Sequence, residues 1–124
     1  MVKILIIDDS KAVHAFTKNC LTELGYLNIQ QAFNGQEGIS SLDNSIDIIL
    51  LDWEMPIKDG PSTLKEIRAN GLTIPIIVMT TRNSVEDITF MLGLGANDYM
   101  MKPFTADILK GKMEAVFELQ KRIA

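Results

Sequence analysis

The sequence predicts an α/β fold, a doubly wound parallel sheet of five strands with a helix after each one. Three observations carry that expectation. Strand-like and helix-like segments alternate five times along the 124 residues. The runs Ile4-Leu5-Ile6-Ile7, Ile48-Ile49-Leu50-Leu51 and Ile76-Ile77-Val78-Met79 are apolar without alternation, as in strands covered on both faces. The segments between strands are about ten to fifteen residues long, enough for a helical crossover between parallel neighbours. Such crossovers are right-handed and place helices on both faces of one sheet.

The elements follow in order. The first strand covers Val2–Ile7. The first helix runs from about Ser10 to Leu24, with Val13, Phe16, Cys20, Leu21 and Leu24 at helical spacing. Gly25 supplies the left-handed residue after its end. The second strand, Asn28–Phe33, carries Asn28, Gln30 and Gln31 and belongs at an edge. The second helix starts at Asn34-Gly35, and Glu37 completes a capping pair with Asn34. The third strand is Ile46–Leu51, and the helix after it opens on Asp59-Gly60-Pro61, with proline suited to the first helical position. The fourth strand is Ile74–Met79. Its helix follows Ser84, and Glu86 and Asp87 fall in the first turn, where the helix dipole favours acids. The fifth strand is Asp98–Met101, and at least one of Met100 and Met101 faces the core. The last helix starts at Thr105 and runs through Leu109, Met113, Val116, Phe117 and Gln120. Gly111 inside it costs about 1 kcal/mol relative to alanine, and the pattern does not explain it. No linker or repeat divides the chain, so residues 1–124 read as one domain.

Composition narrows the function. Hydrophobic residues make up 47 % and charged residues 23 %, with a net charge of −4, the balance of a soluble globular protein. No basic stripe suits nucleic acid. The apolar runs are too short for a membrane span or a signal-peptide core. The single cysteine, Cys20, reads as a packed thiol. These features fit a cytoplasmic location. His14, the only histidine, reads as an ordinary helix-surface residue.

The chemistry lies where the apolar runs end. The first ends in Asp8-Asp9, the third in Asp52, the fourth in Thr80-Thr81 and the fifth in Lys102-Pro103. In a parallel sheet these ends share one edge, where ligands of such folds gather. Any one of them is explained by a strand having to end somewhere; the set is not. Two like charges ~4 Å apart repel by roughly 4 kcal/mol at an effective dielectric near 20. Lys102 supplies one positive charge against three acids, so a cation or a proton is needed. The donors are hard oxygens, which favours Mg2+. A carboxylate beside a hydroxyl and an ammonium can also attack phosphorus and form an acyl phosphate.

These residues, together with Met55-Pro56, Asp59-Gly60, Gly95-Ala96-Asn97-Asp98-Tyr99 and Phe104, make the whole chain resemble response-regulator receiver domains, and among them single-domain chemotaxis regulators of the CheY type. The resemblance implies a flavodoxin-like (βα)5 fold with strand order 2-1-3-4-5, an order taken from the family and not from the residues. It implies that Asp52 is the phosphoacceptor. Asp9 and Asp52 would ligate Mg2+ directly, Asp8 through water, and the backbone carbonyl of Glu54 would complete the protein ligands. Thr80 and Lys102 would hold the phosphoryl group, and the bond before Pro103 would be cis. Thr80 and Tyr99 would form the switch, reshaping a partner face that includes Ile88, Tyr99 and Lys112.

The partners implied are a sensor histidine kinase and a downstream target such as a flagellar motor switch, with a phosphatase also possible. A stand-alone receiver in a phosphorelay or kinase-regulating pathway is the alternative output. No output domain follows the last helix, so signalling is expected through protein contacts by a monomer. The expected chemistry is self-phosphorylation from a phosphodonor and autodephosphorylation, without enzymatic turnover. Trp53, Glu54, Thr81 and Arg82 flank the site. Thr81 departs from the family, where a small Ala or Gly is usual, and its bulk is expected to change the phosphoryl lifetime. Glu54 and Arg82 could pair across the mouth. A haloacid-dehalogenase-like phosphatase fits less well, because its nucleophile follows the first strand in Asp-x-Asp. A pseudo-receiver is disfavoured by the intact acid set.

Overall fold

The computed structural model describes residues 1–123; Ala124, the last residue of the expected domain, lies outside them. The strands are β1 (Lys3–Ile7), β2 (Asn28–Ala32), β3 (Ile48–Asp52), β4 (Ile76–Thr80) and β5 (Asp98–Met101). The helices are α1 (Lys11–Glu23), α2 (Gly35–Ser40), α3 (Gly60–Ala69), α4 (Val85–Gly93) and α5 (Ala106–Ile123). All four strand pairings are parallel, and the order is β2-β1-β3-β4-β5. The polar second strand is an edge, as its glutamines predict.

The unbroken apolar runs are explained by two cores. Ile4, Ile6, Ile48, Leu50, Ile77 and Met79 face α1 and α5, meeting Cys20, Leu21, Leu109 and Met113. Their neighbours Leu5, Ile7, Ile49, Leu51, Ile76 and Val78 face the opposite layer, meeting Leu64, Ile67 and Met91. Successive strand residues point to opposite faces, so a sheet covered on both sides needs apolar residues at every position. Met100 is fully buried and Met101 only partly so.

Local signals hold at the helix ends. The side chains of Ser10, Asn34, Asp59 and Ser84 each accept a first-turn backbone N–H. Glu37 reaches back to the Phe33 amide at 3.3 Å, one residue before the cap. Gly25 is left-handed, with φ +90. A Cβ on Gly111 would meet open space, so no close packing requires that glycine. β3 and β4 each run one residue past their expected ends. This makes Asp52 and Thr80 the last strand residues and fixes them by ladder bonds.

One reading needs correction. His14 is not on the surface: it is 1 % exposed and hydrogen-bonded on both ring nitrogens. Phe16, one of the apolar residues at helical spacing in α1, is 46 % exposed, and its ring meets the edge of Phe104 at 5.3 Å. Helical spacing identifies a face, but neighbouring elements decide how far that face is covered.

Candidate functional site

The parallel register brings the ends of β1, β3, β4 and β5 to one edge. Asp8 follows β1 and is fully buried, and Asp52 ends β3 at 7 % exposure. Lys102 follows β5, and its amide is held by the Thr80 carbonyl at 2.8 Å. The Lys102–Pro103 bond is cis. The Lys102 ammonium donates to Asp52 Oδ1 at 2.8 Å and to Asp8 Oδ2 at 2.9 Å. One cation thus bridges two buried carboxylates 44 residues apart in the chain, and its own strand lies two places away from one of them.

The exposed Asp9 joins them: Asp8, Asp9 and Asp52 each offer an oxygen, all within 4.8 Å of one another. Asp8, Asp9 and Asp52 would hold a small divalent cation, which would neutralise their charge. The donors are hard oxygens carrying more negative charge than Lys102 balances. The site therefore fits Mg2+ in charge and donor type.

Electrostatics single out Asp52. Burial pushes its carboxyl up to about 6, Asp8 adds to the rise, and the hydrogen bond and charge of Lys102 partly oppose it. Burial works against the Lys102 ammonium, but the hydrogen bonds and charges of Asp52 and Asp8 leave its pKa raised overall. The lysine is thus held in its charged form by the two acids, while burial and Asp8 disfavour the charge on Asp52.

A cavity of about 150 Å3 lies over Asp52, lined by Asp52, Trp53, Glu54, Thr80, Thr81 and Lys102. Thr80 is 4 % exposed, and its hydroxyl accepts the Arg82 amide at 2.9 Å. Across the mouth, Arg82 pairs with Glu54 through Nε at 2.9 Å and Nη2 at 2.8 Å, the pairing foreseen from sequence. The guanidinium also stacks over Trp53 at 4.6 Å and approaches Asp87 at 3.6 Å. Its sequence position marks Asp87 only as a first-turn acid, and no spacing rule links it to Arg82.

The loop from β3 to α3 turns back sharply here. A Cβ at Gly60 would stand 2.5 Å from the Asp52 carbonyl oxygen, so only glycine lets the loop close. The Lys58 amide bonds to the Pro56 carbonyl at 2.7 Å around Ile57, which has φ 68. That tight turn is a strained conformation for a β-branched residue.

The remaining expected residues lie outside the pocket. Tyr99 is half-buried on β5. Lys112 of α5 sits 4.7 Å over its ring and bonds to Asp98 at 3.1 Å. Ile88 is half-buried on α4. No helix among the described residues is long and apolar enough to cross a membrane.

Sheet order, acid cluster and bridging lysine define a response-regulator receiver. The family described as Response regulator receiver domain matches residues 4–114, and the chain belongs to it. Within that family the protein is CheY-like. It is 37 % identical over 119 residues to chemotaxis protein CheY1 of Helicobacter pylori, covering 93 % of this chain and 96 % of that one. The receiver domain of Francisella response regulator 1452 superposes with a TM-score of 0.84 at 34 % identity, covering 100 % of both chains. Chemotaxis protein CheY4 of Vibrio cholerae gives a TM-score of 0.85 at 28 % identity, covering 94 % of this chain and 98 % of that one.

Proposed function

We propose that Asp52 accepts a phosphoryl group from a phosphohistidine of a sensor kinase and that the resulting acyl phosphate switches the face built by α4, β5 and α5. The observation that carries this reading is the Lys102 ammonium, fixed 2.8 Å from Asp52 Oδ1 beneath an open cavity. An Asp52 oxygen forms the new bond to phosphorus while the bond from phosphorus to the donor nitrogen breaks, and the freed imidazole takes up a proton. Lys102 turns from the carboxylate toward the incoming oxygens, and the Thr80 hydroxyl donates to another. Asp8, Asp9, Asp52 and the Glu54 carbonyl would hold Mg2+, which supplies charge neutralisation for the phosphoryl oxygens.

Phosphorylation adds about two negative charges. Drawing Thr80 inward leaves room for Tyr99, which gives up its contact with Lys112. The changed surface then binds a target. The CheY1 and CheY4 relatives favour a chemotaxis output such as a motor switch, with a phosphorelay as the second reading. Beside the phosphoryl cavity lies an apolar cleft of about 340 Å3, lined by Ala12, Val13, Phe16, Thr81, Lys102, Pro103 and Phe104. It shares Lys102 and Thr81 with the site, which supports it as the docking place for the phosphodonor domain. The chemistry is confined to self-phosphorylation and autodephosphorylation.

Incubation with acetyl phosphate and Mg2+ tests the core of this reading. One hydroxylamine-labile phosphoryl adduct is expected on the wild type and none on Asp52→Asn. An equal adduct on both proteins removes Asp52 from the role. Turnover of p-nitrophenyl phosphate would favour a phosphatase instead.

A further inference from the structure

Asp8 is held at each of its polar atoms. Its amide donates to the Ala32 carbonyl at 3.1 Å. Oδ1 accepts the Ser10 amide at 2.8 Å and Oδ2 accepts Lys102 at 2.9 Å. Its carbonyl oxygen lies 2.7 Å from His14 Nε2, and the same ring nitrogen stands 3.1 Å from the Ala32 carbonyl. Carbonyls only accept, so Nε2 carries the hydrogen and donates to both. On the far side of the ring the Gln31 amide donates to Nδ1 at 3.0 Å. Phe33 covers the ring, with centroids 4.3 Å apart.

This arrangement answers a particular need. The ladder between β1 and β2 ends at the pair Ile7 and Ala32. Beyond it the Asp8 peptide is buried, and no backbone N–H is bonded to its carbonyl among the described residues. The chain turns there to project Asp8 inward and Asp9 outward, and His14 supplies the missing donor at that turn. The ring is itself fixed by Gln31 on the edge strand. The chain of contacts runs from Gln31 through His14 to the Asp8 carbonyl and so to the peptide from which two of the three clustered carboxylates spring.

We propose that His14 is a positioning residue for the divalent-cation site, acting through the Asp8 backbone and oriented by Gln31. The proposal rests on the Mg2+ reading above. It predicts that cation affinity depends on a hydrogen-bond donor at position 14 in a way that folding stability alone does not explain. Outer-shell contacts to metal ligands typically change affinity by about tenfold or more.

Mg2+ binding is measured by calorimetry and by the fluorescence of Trp53, the residue after Asp52, with urea unfolding in EDTA as the measure of stability. His14→Leu is expected to weaken Mg2+ binding about tenfold. His14→Gln, which keeps an N–H near the Nε2 position, is expected to restore it to within about twofold of wild type, and Gln31→Leu to weaken it about threefold, between those limits. Should His14→Leu fail to fold, Gln31→Leu still decides, because it keeps the ring and alters only a half-buried edge side chain. Wild-type affinity in His14→Leu or Gln31→Leu, with stability in EDTA reduced, overturns the proposal and leaves His14 a structural residue only. A wild type that shows no Mg2+ response by either method overturns the cation site itself, and this inference with it.

Discussion

Arg68 and Lys102 are half-buried cations at opposite ends of the same sheet, with different company. At the amino ends of β4 and β5, Arg68 donates to the carbonyls of Gly95 and Leu72 and to Asn97 Oδ1, each at 3.0 Å. Asn97 Oδ1 also receives the first amide of β4 at 2.9 Å. All the acceptors are neutral. Burial lowers the Arg68 pKa, but guanidinium stays charged throughout the working range. At the carboxyl end, Lys102 meets two carboxylates with a third nearby. The amino end is a closed clamp with its donors matched to acceptors. The carboxyl end keeps surplus negative charge and an open cavity. Neutral acceptors join elements without needing a partner from outside, whereas surplus negative charge leaves a site that favours a cation.

The sharpest way to break this contrast is Asp52→Asn. Phosphorylation is lost entirely, yet the metal-free protein gains stability. The sign follows from the raised carboxyl. Between its ordinary value of 3.8 and about 6, the folded state holds a proton that the unfolded state has released. Wild-type stability therefore falls as pH rises through that window. Asp52→Asn escapes the loss and should be more stable by up to about 3 kcal/mol at pH 7 in EDTA, with the difference fading below pH 4. Urea unfolding at pH 4 and pH 7 checks it, and a mutant less stable at pH 7 contradicts the picture of a carboxylate whose charge is disfavoured by burial and, to a lesser degree, by Asp8.

At the opposite end, Arg68→Met takes the guanidinium donor from the Gly95 and Leu72 carbonyls, while Asn97 Oδ1 keeps the Ile76 amide. It should cost about 2 kcal/mol of stability and leave the rate of phosphorylation by acetyl phosphate near wild type. A large rate defect would mean that the two ends are coupled through α4 and β5.

Metal addition sharpens the contrast further. At ten times its dissociation constant, Mg2+ should stabilise the wild type by about 1.4 kcal/mol and have little effect on Asp9→Asn. Thermal unfolding with and without the ion reads this directly. Equal stabilisation of both proteins would place the ion elsewhere.

The smallest effects concern the mouth. Arg82 pairs with the exposed Glu54, and such pairs contribute little to stability. Arg82→Ala should leave the unfolding midpoint unchanged and speed autodephosphorylation about threefold, equivalent to about 0.7 kcal/mol of barrier. Thr81→Ala should shift the same lifetime by a similar or smaller factor. Loss of a phosphoryl signal from labelled Asp52 measures both, and unchanged lifetimes would reduce the mouth to a solvated surface.

The sequence alone determined the alternation of elements, the burial of both sheet faces and the helix caps, because spacing and residue type control them locally. It also exposed the carboxyl-end polar groups: Asp8, Asp9, Asp52, Thr80 and Lys102 close the apolar runs, and a parallel sheet must collect such residues on one edge. Strand order became visible only through the family, and the structure then established it through ladder pairing. The tertiary structure alone decided the burial of His14, the clamp at Arg68 and the approach of Asp87 to Arg82. His14 and Arg68 bond largely to backbone carbonyls. Every residue carries the same carbonyl, so the sequence holds no mark of which one a distant side chain will find, and only the folded path of the chain makes that choice.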